Sequence, residues 1–105
     1  MAQVPVEIID IIKKFVMEAE LENITIEKAV LFGSYAKGTN HEYSDIDLAI
    51  VSNDFQGIRF YDNEKLAKPT IRSSIDLETH PFRPEDFTED NPFVKEILEH
   101  GIRII

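Results

Sequence analysis

The sequence predicts an α/β (α+β) protein in which a small mixed β-sheet is flanked by helices on one face. Two apolar runs of strand length support the sheet: 29–32, which ends at Gly33, and 46–51. A longer segment, Val4–Glu20, repeats apolar residues with the period that lines one face of a helix. Because 105 residues suffice for one compact core, we expect a single domain over residues 1–105.

The first half of the chain alternates between the two kinds of element. Pro5 suits the first turn of a helix, and glycine after residue 37 suits a helix C-terminus because it readily adopts left-handed backbone. We expect the first two strands to be adjacent and antiparallel. The predicted elements are a helix at 4–20, a turn at 23–25, a strand within 26–32, a short helix at 34–37 capped by Gly38, a loop at 39–44 and a strand at 45–52.

The second half is less regular. Residues 53–73 have a weak helical pattern, which predicts a helix with an irregular start that Pro69 ends. Ser74–His80 predicts a third strand, in which Ile75 and Leu77 face one side. The remaining predicted elements are a turn at 84–87, a helix at 92–100 followed by Gly101, and a short final strand at 102–105.

Charge and composition limit the classes of function. The formal net charge of −9 opposes binding to a nucleic-acid backbone, and it suits a substrate carried by a divalent cation or a basic protein partner. The absence of cysteine excludes disulfides and thiolate zinc sites. The sequence predicts no signal peptide and no membrane span, so we expect a cytoplasmic protein. It leaves open whether the chain forms homo-oligomers.

Two acidic residues stand at the start of the second predicted strand. Because side chains alternate along a strand, Asp45 and Asp47 point to the same side, with their α-carbons roughly 6.6 Å apart. Two carboxylates that close at a sheet edge repel each other unless a cation joins them. Mg²⁺ fits, because it binds one or two carboxylates and completes its coordination with water and phosphate oxygens. A calcium loop is excluded, because apolar residues follow where that loop needs a glycine and further oxygen ligands.

A Gly-Ser turn ends the first predicted strand and faces the same edge. Gly33 lets backbone N–H groups approach a phosphate closely, and Ser34 begins the short helix that follows. Lys37 is the one cation in this stretch and could reach a triphosphate, although an exposed, solvated lysine explains it equally well. A Gly-Ser pair alone is an ordinary turn. Its combination with Asp-x-Asp and an apolar strand indicates a phosphate site beside a metal site.

This combination resembles the signature of the DNA polymerase beta-like nucleotidyltransferase superfamily in its smallest form, the minimal nucleotidyltransferases. Gly33, Ser34, Asp45 and Asp47 match the fixed positions of the signature. The resemblance implies the polymerase beta-like nucleotidyltransferase core as the fold. It also implies a nucleoside triphosphate, ATP or another, as substrate and Mg²⁺, as two ions, for catalysis.

The resemblance further implies a third carboxylate on the third strand. Two residues qualify, because Asp76 and Glu78 share one face of that strand. Asp76 fits the commonest pattern of the superfamily, and we favour it narrowly. Glu78 precedes Thr79-His80-Pro81-Phe82, which is typical of one subgroup, and could take the role instead. In either case Asp45, Asp47 and the third acid would hold the metal ions, and the third acid could take the proton from the attacking hydroxyl.

The resemblance also suggests a partner. Small members of this superfamily are commonly paired with a helical protein of the HEPN type, often as a toxin–antitoxin pair, and some transfer AMP to a tyrosine of that partner. The expected function is therefore transfer of a nucleoside monophosphate to a hydroxyl on such a partner. The alternative is a binding module that neutralises the partner by association with little or no catalysis. A carboxylate-based hydrolase ranks last, because it does not explain the Gly-Ser turn.

Overall fold

The computed structural model of the protein describes residues 4–42 and 44–105, so that Tyr43 of the predicted loop lies outside the described residues. The helices are α1 (Val6–Leu21), α2 (Ser34–Lys37), α3 (Arg59–Lys65), α4 (Ala67–Ser73) and α5 (Pro92–His100). The strands are β1 (Lys28–Phe32), β2 (Ile46–Val51), β3 (Leu77–Phe82) and β4 (Ile102–Arg103), and a 3₁₀ turn spans Pro84–Asp86. None of the helices in these described ranges is long and apolar enough to cross a bilayer.

The four strands form one mixed sheet in the order β3–β2–β1–β4. β1 is antiparallel to both β2 and β4, whereas β2 and β3 are parallel. A parallel pair needs a crossover connection, and α3 with α4 supplies it. The predicted mixed sheet flanked by helices is therefore confirmed, as is the antiparallel pairing of the first two strands.

The prediction that helices cover only one face is wrong. On one face, Ile12 and Phe15 of α1 pack in a core with Leu31 and Leu48 of the sheet. On the other face, Val94 and Ile97 of α5 and Phe87 pack with the alternate strand residues Val30, Ala49 and Val51. The physical reason lies in the apolar runs themselves, because a strand that is apolar at successive positions must bury both of its faces.

The segment after β2 also differs from the prediction, because it forms two helices that meet at Leu66. Pro69 does not end a helix but lies buried in the first turn of α4, where the backbone N–H that proline lacks would have no helical partner. The irregular start is organised by Asp62, which is buried in α3. Its carboxylate accepts hydrogen bonds from the backbone N–H groups of Gln56 at 2.8 Å and Gly57 at 2.9 Å.

The third strand begins three residues later than predicted and continues to Phe82. The hydroxyl of Ser74 accepts a hydrogen bond from the N–H of Asp76 at 3.1 Å, which makes a turn of the kind serine favours. Ile75 is consequently 89% exposed instead of packing beside Leu77. The strand can include Pro81 because β3 is an edge strand, which needs hydrogen bonds on one side only.

Candidate active site

The strand register places three side chains in one row across the sheet. Phe32 of β1 is the partner of Asp47 in β2, and Asp47 is the partner of Glu78 in β3. Directly paired residues in neighbouring strands point to the same face. Asp47 therefore lies between an aromatic ring and a second carboxylate, at the end of the sheet where β2 begins.

Gly33 brings the backbone against the carboxylate of Asp47. Its φ of 74° lies in the left-handed region that favours glycine. A Cβ atom placed on Gly33 would overlap Oδ2 of Asp47, so any larger residue would displace the carboxylate. Gly33 immediately precedes α2, and Gly38 closes this short helix with a φ of 75°, as predicted. The Gly-Ser turn and the strand acid are thus in direct proximity.

Asp47, Glu78 and His80 converge on one point. Each offers an atom able to bind a metal, and these atoms all lie within 4.8 Å of one another. Nε2 of His80 is 3.8 Å from Oδ1 of Asp47 and 3.9 Å from Oε1 of Glu78. Hard oxygen ligands are what Mg²⁺ prefers. The two carboxylates therefore fit the ion that the sequence implied, with Asp45 next to them in the chain.

The electrostatics of Asp47 also fit a cation. The pKa of Asp47 rises from 3.8 to about 6, first because burial disfavours the charged form. The negative charge of Glu78, a hydrogen bond between the two carboxyl groups and the charge of Asp45 raise it further. A cation bound here would offset the repulsion between Asp47 and the neighbouring acids. It would therefore favour the ionised form of Asp47, which is the form that binds a metal.

His80 occupies the buried side of this cluster. Its side chain is 10% exposed, and Nδ1 lies 3.0 Å from Nη2 of Arg59 at the start of α3. Burial lowers the pKa of His80, and the positive charge of Arg59 lowers it further, although Glu78 acts in the opposite direction. Neutral His80 is therefore the favoured form at pH 7. Its ring also contacts Phe32, with centroids 5.0 Å apart, and Phe93, at 5.7 Å.

The structure brings some predicted acids together and leaves one apart. Asp47 and Glu78 share the cluster, and Asp45 is exposed at the residue before β2 and contributes its charge to Asp47. Asp76 is exposed in the turn before β3 and is not a member of the cluster. The backbone of Asp76 has a different task, because its carbonyl accepts a hydrogen bond from the N–H of Ile46 at 2.8 Å. Of the two alternatives for a third carboxylate, the geometry favours Glu78.

A cavity of about 200 Å³ adjoins the Gly-Ser turn, between α2 and α5. Gly33 and Lys37 line one side of it, and Phe93 and Ile97 line another. Ser34 begins α2 and is half-buried. Lys37 is 55% exposed and lies 3.9 Å from Glu96, a pairing that contributes little because solvent screens it. The side chain of Lys37 is therefore available to a charged ligand in this cavity.

A second, larger groove reaches the cluster from the opposite side. It measures about 380 Å³ and runs between β3 and the pair α3 and α4. Arg59 and Glu78 line the groove, together with apolar side chains that include Ile71 and Leu77. The same two helices expose large apolar residues, namely Phe60 and Tyr61 of α3 and Ile71 of α4. The carboxylates thus lie between two separate recesses.

Sequence reasoning missed His80 and Arg59 as members of this site. The three histidines lie far apart along the chain, and that separation does not show which residues become strand partners. The alternation that links Asp76 to Glu78 extends to His80, because residues two apart in a strand share a face. That signal was present for the histidine. No comparable signal existed for Arg59, which depends on where α3 begins.

Comparison with known proteins gives a consistent result. Residues 9–104 match the family model described as "Nucleotidyltransferase domain". The chain is similar to "Putative protein adenylyltransferase MJ0141" of Methanocaldococcus jannaschii, at 29% identity over 93% of this chain and 99% of that protein. It is also similar to "Putative protein adenylyltransferase MJ1305" of the same organism, at 34% identity over 72% of this chain and 55% of that protein.

Solved structures support the fold. A "putative nucleotidyltransferase" from Sulfolobus solfataricus superposes with a TM-score of 0.68 at 16% identity, over 93% of this chain and 79% of that one. A mutant of the MntA–HpeT toxin–antitoxin superposes with a TM-score of 0.60 at 20% identity. A toxin–antitoxin with AMP-PNP gives 0.57 at 22% identity, and each of these two matches covers 92% of this chain and 72% of the other.

Proposed function

Because the chain belongs to the nucleotidyltransferase domain family and is a minimal nucleotidyltransferase, we propose that it transfers AMP from ATP to a hydroxyl group of another protein. The acceptor oxygen forms a bond to the α-phosphorus of ATP, and the bond from that phosphorus to the bridging oxygen of the β-phosphate breaks. Pyrophosphate leaves, and the hydroxyl proton goes to a carboxylate of the site. We further propose that residues 1–105 form one such domain and act in the cytoplasm.

One observation carries this proposal: the carboxylate of Asp47 lies between the backbone of Gly33 on one side and Glu78 on the other. Backbone N–H groups at a glycine turn bind phosphate oxygens, whereas paired carboxylates bind the metal that accompanies a triphosphate. If Gly33 served only to close the turn, it would explain the close approach to the Asp47 carboxylate. It would not explain why Glu78 lies beside that carboxylate. The two features together support a site for a metal-bound triphosphate.

Each residue of the site then has a role. Asp45, Asp47 and Glu78 hold Mg²⁺, and the geometry leads us to choose Glu78 over Asp76 as the third carboxylate. Bound Mg²⁺ neutralises the negative charge of the phosphates. The backbone of Gly33 and Ser34 donates hydrogen bonds to the β- and γ-phosphates.

Two side chains act at the edges of the same site. Lys37 reaches the triphosphate from the cavity that it lines with Gly33. Glu78 accepts the proton of the attacking hydroxyl, because it lines the groove on the other side of the row. The nucleotide and the acceptor therefore approach the carboxylates from opposite recesses.

ATP as the donor and a protein as the acceptor are supported by the relatives. Two of them carry the name protein adenylyltransferase, and a structure of the same fold holds AMP-PNP. Two of the similar structures are toxin–antitoxin complexes, which favours a partner protein for this chain as well. The acceptor in our proposal is a tyrosine hydroxyl on a helical partner of the HEPN type, in a toxin–antitoxin pair.

The surface of the chain suits such a partner. The exposed Ile71 of α4 lines the groove that contains Glu78, and the exposed Phe60 of α3 follows Arg59, which also lines it. Exposed apolar residues of this kind mark surfaces that bind other proteins. The net charge of −9 would steer a basic partner toward the acidic site.

The test is incubation of the chain with Mg²⁺, ATP and the helical protein encoded by the neighbouring reading frame. Intact-mass spectrometry should show one or more adenylyl groups added to the partner. Asp45→Asn should prevent the addition, whereas Asp90→Asn, which changes the same charge at an exposed position on the loop before α5, should not. A stable complex with no added mass under any nucleotide would overturn the proposal and support the binding module.

A further inference from the structure

Nε2 of His80 is a buried nitrogen with no hydrogen-bond partner among the residues that the structure describes. The residue as a whole is 8% exposed. The carboxylate oxygens that approach it are Oδ1 of Asp47, at 3.8 Å, and Oε1 of Glu78, at 3.9 Å, both beyond hydrogen-bond distance. A buried polar atom left without a partner is unfavourable, so the direction of Nε2 toward the two carboxylates calls for an explanation.

Arg59 determines which nitrogen of the ring carries the proton. A guanidinium group only donates hydrogen bonds, so Nη2 of Arg59 donates to Nδ1 of His80 across 3.0 Å. Nδ1 must then be the accepting nitrogen, and the proton of the neutral imidazole lies on Nε2. A protonated Nε2 has no lone pair for a metal ion. The cluster geometry alone would allow His80 as a metal ligand, but the contact with Arg59 opposes it.

A hydrogen-bond donor at Nε2 of His80 would stabilise the charged carboxylates of Asp47 and Glu78. Each carboxylate has two oxygens, so one can accept a hydrogen bond from Nε2–H while the other binds a cation. The donor also offsets part of the repulsion between Asp47 and Glu78. The edges of Phe32 and Phe93 contact the imidazole and limit its rotation. The ring is thus held in place by its packing and in one tautomer by Arg59.

We propose that His80 is a positioning residue: its Nε2–H faces the carboxylates of Asp47 and Glu78 and donates a hydrogen bond to one of them when the cluster contracts around a cation, Arg59 fixes the tautomer, and His80 does not itself bind the metal. This inference rests on the metal site of the proposed function. Residues that orient metal ligands in this way typically change metal affinity by about 10- to 100-fold when they are replaced. The effect should therefore be visible in metal binding without any measurement of transfer.

The first experiment is nitrogen NMR of the imidazole rings in the ¹⁵N-labelled, metal-free protein. The chain contains three histidines, and His80→Gln identifies the signals of His80 by their loss. We expect the proton on Nε2, and we expect it to remain there when Mg²⁺ is added. A proton on Nδ1 in the metal-free protein, or loss of the Nε2 proton with Mg²⁺, would overturn the proposal in favour of direct ligation.

Arg59 provides a second measurement that leaves the histidine in place. In Arg59→Met the donor to Nδ1 is lost, so the tautomer with the proton on Nδ1 should become populated and Mg²⁺ affinity should fall. Arg59→Lys retains a donor and should restore the Nε2 tautomer at least in part. An unchanged tautomer in Arg59→Met would contradict the role given to the arginine.

Mg²⁺ titration by calorimetry completes the test. His80→Phe should bind Mg²⁺ about 10- to 100-fold more weakly than the wild type. His80→Gln should bind more tightly than His80→Phe, because its amide nitrogen lies the same number of bonds from Cα as Nε2. If wild-type protein binds no Mg²⁺, the proposed function fails at its metal site. If it binds and both His80 variants bind equally well, only the present inference fails.

Discussion

At the scale of single residues, the site depends on Asp47, because the backbone of the Gly-Ser turn, the second carboxylate and the buried histidine all meet there. Gly33 contacts it, Glu78 is its strand partner and His80 lies behind it. Burial first, and the negative charges of Glu78 and Asp45 after it, raise the pKa of Asp47, so its ionisation in the metal-free protein costs free energy. A binding site built in this way lowers the free energy of unfolding of the metal-free protein, and a bound cation can raise it again.

Replacing Asp47 should therefore stabilise the metal-free protein. The folded state binds a proton on Asp47 with a pKa of about 6, against 3.8 as its ordinary value. Above pH 6 the wild type consequently loses stability relative to Asp47→Asn, by about 1–3 kcal/mol, or roughly 4–8 °C in Tm for each kcal/mol. The difference should vanish as pH falls from 6 to 4. Thermal melts at pH 7.5 and pH 4 measure it.

The same variant should lose its response to ligand. Mg²⁺ with ATP should raise the Tm of the wild type by mass action and leave Asp47→Asn unchanged. Asp90→Asn, at an exposed position, is the matched control and should behave like the wild type in both melts. If Asp47→Asn instead melts far below the wild type without metal, the carboxylate is structural and the site is misplaced.

The two acids of the third strand give a direct comparison. Glu78→Gln should reduce transfer by about a hundredfold or more, because it removes both a metal ligand and the acceptor of the hydroxyl proton. Asp76→Asn should keep most of the activity, since its side chain is exposed in the turn and lies outside the cluster. Steady-state rates of the two variants decide the matter. Loss of activity in Asp76→Asn alone would restore the sequence-based choice.

The sequence could not decide between these two acids, and the reason is physical. Asp76 and Glu78 are two residues apart, so the alternation of side chains along a strand places both on the same face. The difference comes from the turn that Ser74 makes with Asp76, which delays the start of β3 to Leu77. Gly33 and Asp47 were predictable as neighbours because two apolar strands fix their separation. Arg59 was not, because its place depends on the loop after β2.

At the scale of elements, the loop and helix after β2 hold Arg59 against β3. The buried carboxylate of Asp62 binds two backbone N–H groups of the loop, and Asn63 of the same helix accepts a hydrogen bond from the hydroxyl of Thr79 at 3.0 Å. Asp62 lies in the helix that Arg59 begins. These contacts connect the stability of the loop to the geometry around His80.

Asp62→Ala should destabilise the protein by about 2–5 kcal/mol, because two partly buried N–H groups lose the side-chain oxygens that accept their hydrogen bonds. Glu64→Ala, at an exposed position in the same helix, should change stability by less than about 0.5 kcal/mol. Urea unfolding gives both values. An equal effect of the two substitutions would show that the carboxylate does not organise the loop.

Element prediction succeeded where local rules and packing agree. The helix Pro92–His100 and the short helix closed by Gly38 were both predictable, because proline and glycine mark their ends. Pro69 misled the prediction because proline both ends helices and begins them. Only the position of the break at Leu66, which depends on burial of that side chain, tells the two cases apart.

At the scale of the whole molecule, the site lies at one end of the sheet with a recess on either side. Gly33, after β1, lines the cavity and Glu78 of β3 lines the groove, and Asp47 belongs to β2, the strand between these two. A nucleotide on one side and an acceptor on the other would meet at the metal. Ile71, an exposed apolar residue of α4, lines the groove, and a bound partner would cover it.

Substitution of Ile71 should weaken binding of the partner without affecting binding of the nucleotide. Ile71→Glu places a charge in the groove and should reduce partner affinity by about tenfold or more. Leu98→Glu, on α5 at the opposite face of the sheet, is the matched control and should leave affinity unchanged. Calorimetric titration with the partner measures affinity, and ATP-dependent melting checks the nucleotide site. Equal binding by both variants would exclude the groove as the docking surface.

The most direct test of the central claim follows the phosphorus atoms of ATP. ATP labelled at the α-phosphorus and, separately, at the γ-phosphorus is incubated with the chain, Mg²⁺ and the helical partner. If the site transfers AMP, only the α-label enters the partner, one pyrophosphate is released for each label incorporated, and Asp45→Asn abolishes both. Transfer of the γ-label, or release of free phosphate without labelling, would contradict nucleotidyl transfer by this site.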